Sequence, residues 1–329
     1  MSRNSGRGAA EGGRGAAIDV GPGAAADTGR GAVLDIGPGA AADTGAAPGY
    51  RPGRTLSVAA EWRRQAARRR THLALGFMVA LPLIILAAFQ IGGEDDGDGS
   101  GDGGGRFSSL VDLATSGGLN FTLFTVFVSA GFLLTVVVAL FCGDTVASEA
   151  SWGSLRYLLA APVPRSRLLA AKLMVAAGYS VVAMLTLAGT ALLAGTLRYG
   201  WAPLRSVVAA ELPPGEGLVR MLLVLGYLAI GLLVVASLAF LLSVVTDAPL
   251  GAVGGAVLLF ILSSILDQVT ALGSLRTVLP THFSDAWLGL LSTPMQLDEV
   301  VRGTISALGY AGVFCALAWW RFLRKDIVS

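Results

Sequence analysis

The chain has 329 residues, of which 54% are hydrophobic and only 14% are charged, and its formal net charge is +2. A water-soluble domain exposes a large share of its residues to solvent, so a mean hydropathy of +0.68 excludes an ordinary soluble protein. The two cysteines, Cys142 and Cys315, lie in or beside apolar runs. Their spacing predicts neither a disulfide framework nor a metal site.

The N-terminal segment, residues 1–53, is a low-complexity tail of Gly, Ala, Asp, Arg and Pro. Its residues 13–23 recur with small changes as residues 29–39, an offset of 16 residues. Because such a segment has too few bulky side chains to offset the entropy of ordering, we expect it to be disordered. Its glycines do not predict a phosphate-binding loop, since no predicted strand precedes them.

Residues 54–70 change character and are rich in arginine. Small apolar residues and Trp62 recur there at helical spacing, which predicts a short basic amphipathic helix on the membrane surface. A plain positive flank of the first membrane span is the alternative. The residues expected to anchor this helix at the lipid headgroups are Trp62, Arg63, Arg64, Arg68, Arg69 and Arg70.

Six long apolar runs follow, each with about the 20 residues that a helix needs to cross the hydrocarbon core. The sequence therefore predicts an all-α membrane protein with six transmembrane helices, at about 71–91, 120–142, 170–197, 219–246, 248–267 and 303–321. The first run is longer than the core of a cleaved signal peptide, so we interpret it as a span. Asp247, Ala248 and Pro249 predict a tight turn between the fourth and fifth spans, rather than one long kinked helix.

The distribution of basic residues predicts the topology. If the N-terminus is cytoplasmic, 18 of the 24 Lys and Arg residues lie in cytoplasmic segments and six lie in outer segments. Positive residues favour the cytoplasmic side. We therefore expect a multi-pass protein of the inner (plasma) membrane with both termini in the cytoplasm.

The loop after the second span carries a second candidate helix, residues 149–160. Its Trp152, Leu155 and Leu158 recur at three-residue spacing and define an apolar face, and Pro162 ends the helix. A bare connection between two spans has no need of such a face. The pattern therefore predicts contact with a partner protein or with the membrane surface.

This loop resembles the signature of ABC-2 type permeases, the membrane subunits of ABC exporters. The resemblance extends over about residues 56–329. It includes the arginine-rich flank, Pro82 in the first span and the basic C-terminal end. The residues that match the loop signature are Gly143, Glu149, Gly153, Ser154, Leu155, Arg156, Leu158, Leu159, Pro162, Val163, Arg165 and Lys172.

The resemblance implies a half-transporter that pairs with a second permease subunit, expected to be an identical copy, above two cytoplasmic ATPase subunits. The loop helix would be the coupling helix that contacts the ATPase. The residues implied in that contact are Glu149, Trp152, Gly153, Leu155, Arg156, Leu158, Leu159, Pro162 and Arg165. The implied partners are therefore the ATPase, the second permease subunit and the lipid bilayer, with no nucleic acid.

No phosphate-binding loop of the form G-x-x-x-x-G-K-[ST] occurs in the chain. We therefore expect a non-catalytic subunit without a cofactor or metal of its own, with ATP and Mg²⁺ bound by the partner ATPase. The nearly uniform apolar spans favour a hydrophobic or amphipathic cargo. A non-transporting membrane scaffold or sensor is the alternative function. An intramembrane enzyme is disfavoured because the spans carry no acid pair, His cluster or nucleophile–base pair.

Several other polar residues are predicted to have structural rather than catalytic roles. His72 and His282 are interpreted as lone residues at opposite membrane interfaces, and the serines of the spans as residues that hydrogen-bond within or between helices. Asp267, at the end of the fifth span, is interpreted as a helix-end charge, with exposure to a translocation path as the alternative. The apolar segment before the sixth span is expected to lie at the outer interface or to dip into it.

Overall fold

The computed structural model describes residues 58–92, 104–151, 165–206 and 209–324. The predicted disordered tail, 1–53, lies outside them. The first helices are α1 Val58–Ala66, α2 Arg69–Gly92, α3 Gly104–Thr115, α4 Gly118–Ser129, a π-helical turn Ala130–Leu134, α5 Thr135–Ser151 and α6 Arg165–Tyr199. Then come β1 Leu204–Ser206, β2 Ala209–Leu212, α7 Pro214–Val245, α8 Pro249–Gln268, a 3-10 segment Thr270–Val278, α9 Leu288–Leu291 and α10 Asp298–Arg324.

Within this part of the chain, six helices are long and apolar enough to cross a membrane, which confirms the six-helix prediction. A helix satisfies its backbone groups within one segment, so apolar runs of this length fold as helices in lipid. The spans are Arg69–Ile91, Gly118–Ser151, Ser166–Tyr199, Pro214–Val245, Pro249–Gln268 and Asp298–Arg324. Several extend beyond the predicted bounds, because polar residues continue the helix past the apolar run.

The second, third and fourth spans form the centre of the bundle. In the most apolar 18 residues of each of these spans, 44–56% of the residues are buried, against 17% in the other three spans. The largest core cluster includes Phe141 of α5, Leu187 of α6 and Phe240 of α7. The first, fifth and sixth spans therefore present most of their apolar side chains to the surroundings, as expected for helices in contact with lipid.

Polar contacts distinguish the two ends of the bundle. The end at which α1 packs against α6 is called the tail end, and the opposite end, which carries the β-strands, is called the hairpin end. At the tail end, α7 stops at Val245 and α8 begins at Pro249, which confirms the predicted tight turn. The Ala248 amide donates to the Thr246 hydroxyl at 3.2 Å within this turn.

A two-stranded antiparallel hairpin is the only β-sheet in the described residues, with Leu204 opposite Leu212. The Asn120 side chain attaches it to α4, because its Nδ2 donates to the Arg205 carbonyl at 2.7 Å and its Oδ1 accepts from the Arg205 amide at 3.1 Å. The short strands carry no strong period-2 pattern, so the sequence did not predict them.

The segment between α8 and α10 folds onto the hairpin end of the bundle. Tyr227 of α7 donates to the Phe283 carbonyl at 2.5 Å, and the hydroxyls of Ser263 and Thr281 lie 2.8 Å apart. The buried Arg220 of α7 donates to the carbonyls of Leu290 and Ser292, at 3.2 and 2.6 Å. Side chains of the spans thus bond to backbone and side-chain groups of this irregular segment and attach it to the bundle.

Replacing Arg220 tests whether these bonds hold the segment. We expect Arg220→Met to lower the free energy of unfolding by about 2 kcal/mol, because two buried carbonyls lose their donor. Thermal unfolding in detergent would measure this. The control is Arg302→Met, which removes an exposed arginine from α10 at the same end. Equal losses in both variants would show that Arg220 contributes only its charge.

The serines of the spans behave as predicted. Ser243 of α7 accepts hydrogen bonds from the amides of Val146 and Ala147 of α5, at 3.1 and 3.0 Å. Ser129 and Ser180 bond to carbonyls one turn earlier in their own helices. The Ser243 bonds therefore join α5 to α7, and the other two hydroxyls are satisfied within their own helices.

The interpretation of His282 as a lone residue is wrong. Its Nδ1 lies 2.7 Å from Oδ1 of Asp267, which the fold brings to the same place at the end of α8. His72, by contrast, is exposed in the first turn of α2. Their separation by fifteen positions in the chain concealed this contact from sequence reasoning.

Candidate functional site

A buried lysine organises the tail end of the bundle. Lys172 of α6 is 2% exposed, and its Nζ donates to Oε1 of Glu149 at 2.5 Å and to Oε1 of Glu61 at 3.1 Å. Both carboxylates are also buried, at 8% and 7% exposed. A buried charge is costly without partners of opposite sign, so these three groups must be considered together.

Arg64 completes the cluster. Its Nη1 lies 3.1 Å from Oε2 of Glu61 and 3.9 Å from Oε1 of Glu149, and half of its side chain is exposed. The two carboxylates are thus matched by two cations, one fully buried and one at the surface. The Lys172 cluster, defined as Glu61, Arg64, Glu149 and Lys172, joins α1, α5 and α6.

A second ion group lies one turn and a half earlier on α5. Asp144 is 3% exposed and pairs with Arg68 at 2.9 Å and with Arg70 through its other carboxylate oxygen. Arg68 precedes α2 and Arg70 belongs to its first turn. This group therefore fixes the junction between α1 and α2 against α5.

Trp62 attaches α1 to α6 by an aromatic contact. Its ring stacks on Tyr179 with centroids 4.3 Å apart, and the Tyr179 hydroxyl donates to the Trp62 carbonyl at 3.0 Å. A Cβ at Gly178 would lie 2.5 Å from the indole, so only glycine lets the ring lie against this stretch of α6. α1 is therefore bound to the bundle by stacking as well as by charge.

The predicted headgroup anchors fall into two groups. Arg64, Arg68 and Arg70 pair with carboxylates of the bundle, whereas Arg63 and Arg69 are exposed. Residues 58–66 of this region form α1, whose buried side chains are Glu61 and Gln65. The face turned towards the bundle therefore combines these two polar residues with the Trp62 ring, which an apolar periodicity does not reveal.

Only Glu149 and Arg165 of the predicted coupling residues lie in the described part of the chain. Glu149 lies in the last turn of α5, buried against Lys172, and not at the start of a separate helix. Arg165 is the first residue of α6. The remaining predicted contacts lie outside the described residues: Trp152, Gly153, Leu155, Arg156, Leu158, Leu159 and Pro162.

Gly143, another residue of the loop signature, has a packing role. A Cβ at this position would lie 3.2 Å from the amide nitrogen and 3.3 Å from the Cα of Val253, so the residue lets α5 approach the backbone of α8. The glycines at 254 and 255 in α8 contribute less to close packing. A Cβ at Gly255 would approach only Leu242, and one at Gly254 would meet no atom within 4 Å.

Sequence reasoning missed Glu61 and Asp144, two of the three carboxylates that are buried at the tail end among the described residues. The signal for Glu61 was its position three residues before Arg64, a spacing that places the two on one helix face. Asp144 offered a weaker signal, an acid inside the apolar end of a span. Such a residue needs a cation, and the nearby arginines supply it.

The Lys172 cluster links helices on both sides of residues 152–164. In the described part of the chain, no group of three His, Cys, Asp or Glu side chains is placed to hold a metal ion. The charges of Lys172 and its partners neutralise one another. The cluster joins α5 and α6, the two helices that flank residues 152–164, so displacement of that segment would be passed to both helices.

Comparison with known proteins gives a family without an assigned activity. No curated protein matches the chain. A family described as protein of unknown function (DUF2705) matches residues 103–328, which include five of the six spans, Asp144, Glu149 and Lys172. The match covers more than half of the sequence, so the chain belongs to the DUF2705 family.

Proposed function

We propose that the chain is the permease subunit of an ABC exporter, in which a separate ATPase drives cargo outward across the plasma membrane. The Lys172 cluster is the observation that carries the proposal. It connects both helices that flank residues 152–164 to α1 through buried ion pairs. An ATPase that moves this segment would therefore move the bundle as well.

The proposed topology places the tail end in the cytoplasm. Most basic residues then face the cytoplasm, and segment 152–164 faces the ATPase. The partner would contact Trp152, Leu155 and Arg156, which come after the last described turn of α5. A second copy of the chain would complete the transporter and would use the apolar surface of the peripheral spans.

The test is co-purification. The tagged full chain, extracted in detergent from its native membrane, is expected to bring an ATPase subunit and ATP hydrolysis with it. Trp152→Ala combined with Arg156→Ala should lose both, because the contact surface is removed. The control is Arg198→Ala, which changes a basic residue at the hairpin end and should retain the partner.

Glu149 is unsuitable as the contact probe, because its substitution disturbs the buried cluster. It serves instead as a probe of coupling: Glu149→Gln should retain the ATPase subunit but reduce cargo-stimulated hydrolysis. If the folded wild-type chain purifies without any ATPase, the exporter proposal fails and a scaffold or sensor role becomes the better explanation. Retention of the partner by the Trp152→Ala, Arg156→Ala variant would refute the assigned contact.

A further inference from the structure

A cavity of about 430 Å³ opens in the hairpin half of the bundle. Its walls come from the π-helical turn after α4, from α7, α8 and α10, and from residues 280–287. This volume lies in the range that small-molecule sites occupy. The cavity is remote from the Lys172 cluster, which lies at the tail end.

The charges at the cavity are negative. Asp267 and Asp285 are both lining residues, and the described lining includes neither lysine nor arginine. Asp267 is in contact with the His282 ring, and the nearby Arg276 donates to its backbone carbonyl at 3.2 Å rather than to its carboxylate. Asp267 is partly exposed at the end of α8, and Asp285 is exposed. Carboxylates that line a cavity attract a ligand with a positive group.

Aromatic rings form a further part of the wall. Tyr227, Phe283 and Trp287 line the cavity, together with Phe127 and Phe260. The Tyr227 hydroxyl is already bonded to the Phe283 carbonyl, so this side chain contributes its ring rather than a donor. Aromatic faces attract cations and also bury apolar surface. Together with two carboxylates they select an apolar body that carries a positive charge.

The π-helical turn Ala130–Leu134 forms part of the same wall. Ala130 and Gly131 line the cavity, and the Thr135 hydroxyl donates to the Ala130 carbonyl at 3.2 Å. A π turn is a wide, rarely used helix geometry that frequently occurs at functional sites. Its position here is an observation independent of the charges and of the rings.

We propose that this cavity binds a hydrophobic organic cation, with Asp267 and Asp285 facing the charge and the aromatic rings contacting the apolar body. That this cation belongs to the class exported as cargo rests on the proposed function. The binding itself does not, because the lining residues belong to this chain alone.

Two probes of matched size and opposite charge test the charge preference. Tetraphenylphosphonium and tetraphenylborate carry four phenyl groups each and differ in the sign of their charge. We expect the purified chain in detergent to bind the phosphonium saturably, after subtraction of uptake by empty micelles, and to bind the borate at least tenfold more weakly. A preference for the borate, or no phosphonium binding above micelles, would overturn the proposal.

Variants locate the bound cation. Asp267→Asn is expected to weaken phosphonium binding about tenfold, because one charge-assisted contact is lost. Asp298→Asn, an exposed acid at the start of α10, is the control and should bind as wild type. Equal binding by wild type and Asp267→Asn would place the probe elsewhere and refute the assignment.

A steric variant keeps the test decisive if Asp267→Asn fails to fold. Gly231 lines the cavity, and a Cβ there would meet no atom within 4 Å, so Gly231→Leu should fill the site without a clash and abolish binding. Gly226→Leu adds the same side chain to an exposed position of α7 with equally open surroundings, and should bind normally. Unimpaired binding by Gly231→Leu would exclude the cavity.

The result separates this inference from the proposed function. Phosphonium binding by a chain that associates with no ATPase would establish the site and refute the exporter. An associated ATPase without phosphonium binding would support the exporter and refute a cationic cargo at this cavity.

Discussion

Lys172→Met is expected to lower the free energy of unfolding by about 3–5 kcal/mol, because it leaves two buried carboxylates without their shared cation. Glu61 retains Arg64 at 3.1 Å, but Arg64 lies 3.9 Å from Glu149 and is half exposed, so it cannot replace the lysine. Thermal unfolding of the full chain in detergent would measure the loss.

Two further variants identify the cause. Adding Glu149→Gln to Lys172→Met removes one of the uncompensated charges, and we expect about half of the lost stability to return through coupling of the two sites. Arg63→Met, which removes an exposed cation from α1, should change the free energy of unfolding by about 0.5 kcal/mol or less. If the double variant is no more stable than Lys172→Met, the loss reflects packing around the lysine stem and not the ion cluster.

The same cluster shows where sequence reasoning stops. The six spans could be predicted because hydropathy acts on each segment alone, and the tight turn before Pro249 is equally local. Lys172 and Glu149 are 23 residues apart, and the choice of partner depends on how α5 and α6 pack. The loop signature is equally compatible with a glutamate at the exposed start of a helix. The burial of Glu149 therefore could not be predicted from it.

The cavity could not be predicted from the sequence for a related reason. Asp267 and His282 were each visible as polar residues in an apolar context, but separate interpretations gave each a minor role. Their meeting depends on the 3-10 segment Thr270–Val278, whose helix type has no reliable sequence pattern. The π-helical turn that lines the cavity likewise has an ordinary apolar sequence, Ala-Gly-Phe-Leu-Leu.

Gly118→Ala is expected to lower the free energy of unfolding by about 3 kcal/mol, near the upper end of the usual cost of overpacking. A Cβ at this position would lie 2.7 Å from the amide nitrogen and 2.8 Å from the Cα of Thr196 on α6. Backbone atoms cannot rotate away, so α4 and α6 must separate. The separation would also disturb the bond from the Gly118 amide to the Gly200 carbonyl, 3.0 Å long in the intact chain.

Gly189→Ala is the matched control, since it adds the same methyl group to α6 at a position where a Cβ meets no atom within 4 Å. Alanine favours the helix over glycine by about 1 kcal/mol, so this variant should be neutral or slightly more stable. Opposite signs for the two alanine variants in thermal unfolding would establish the close approach of α4 and α6. A small, equal change in both would mean that α4 and α6 are further apart than the contact between Gly118 and Thr196 indicates.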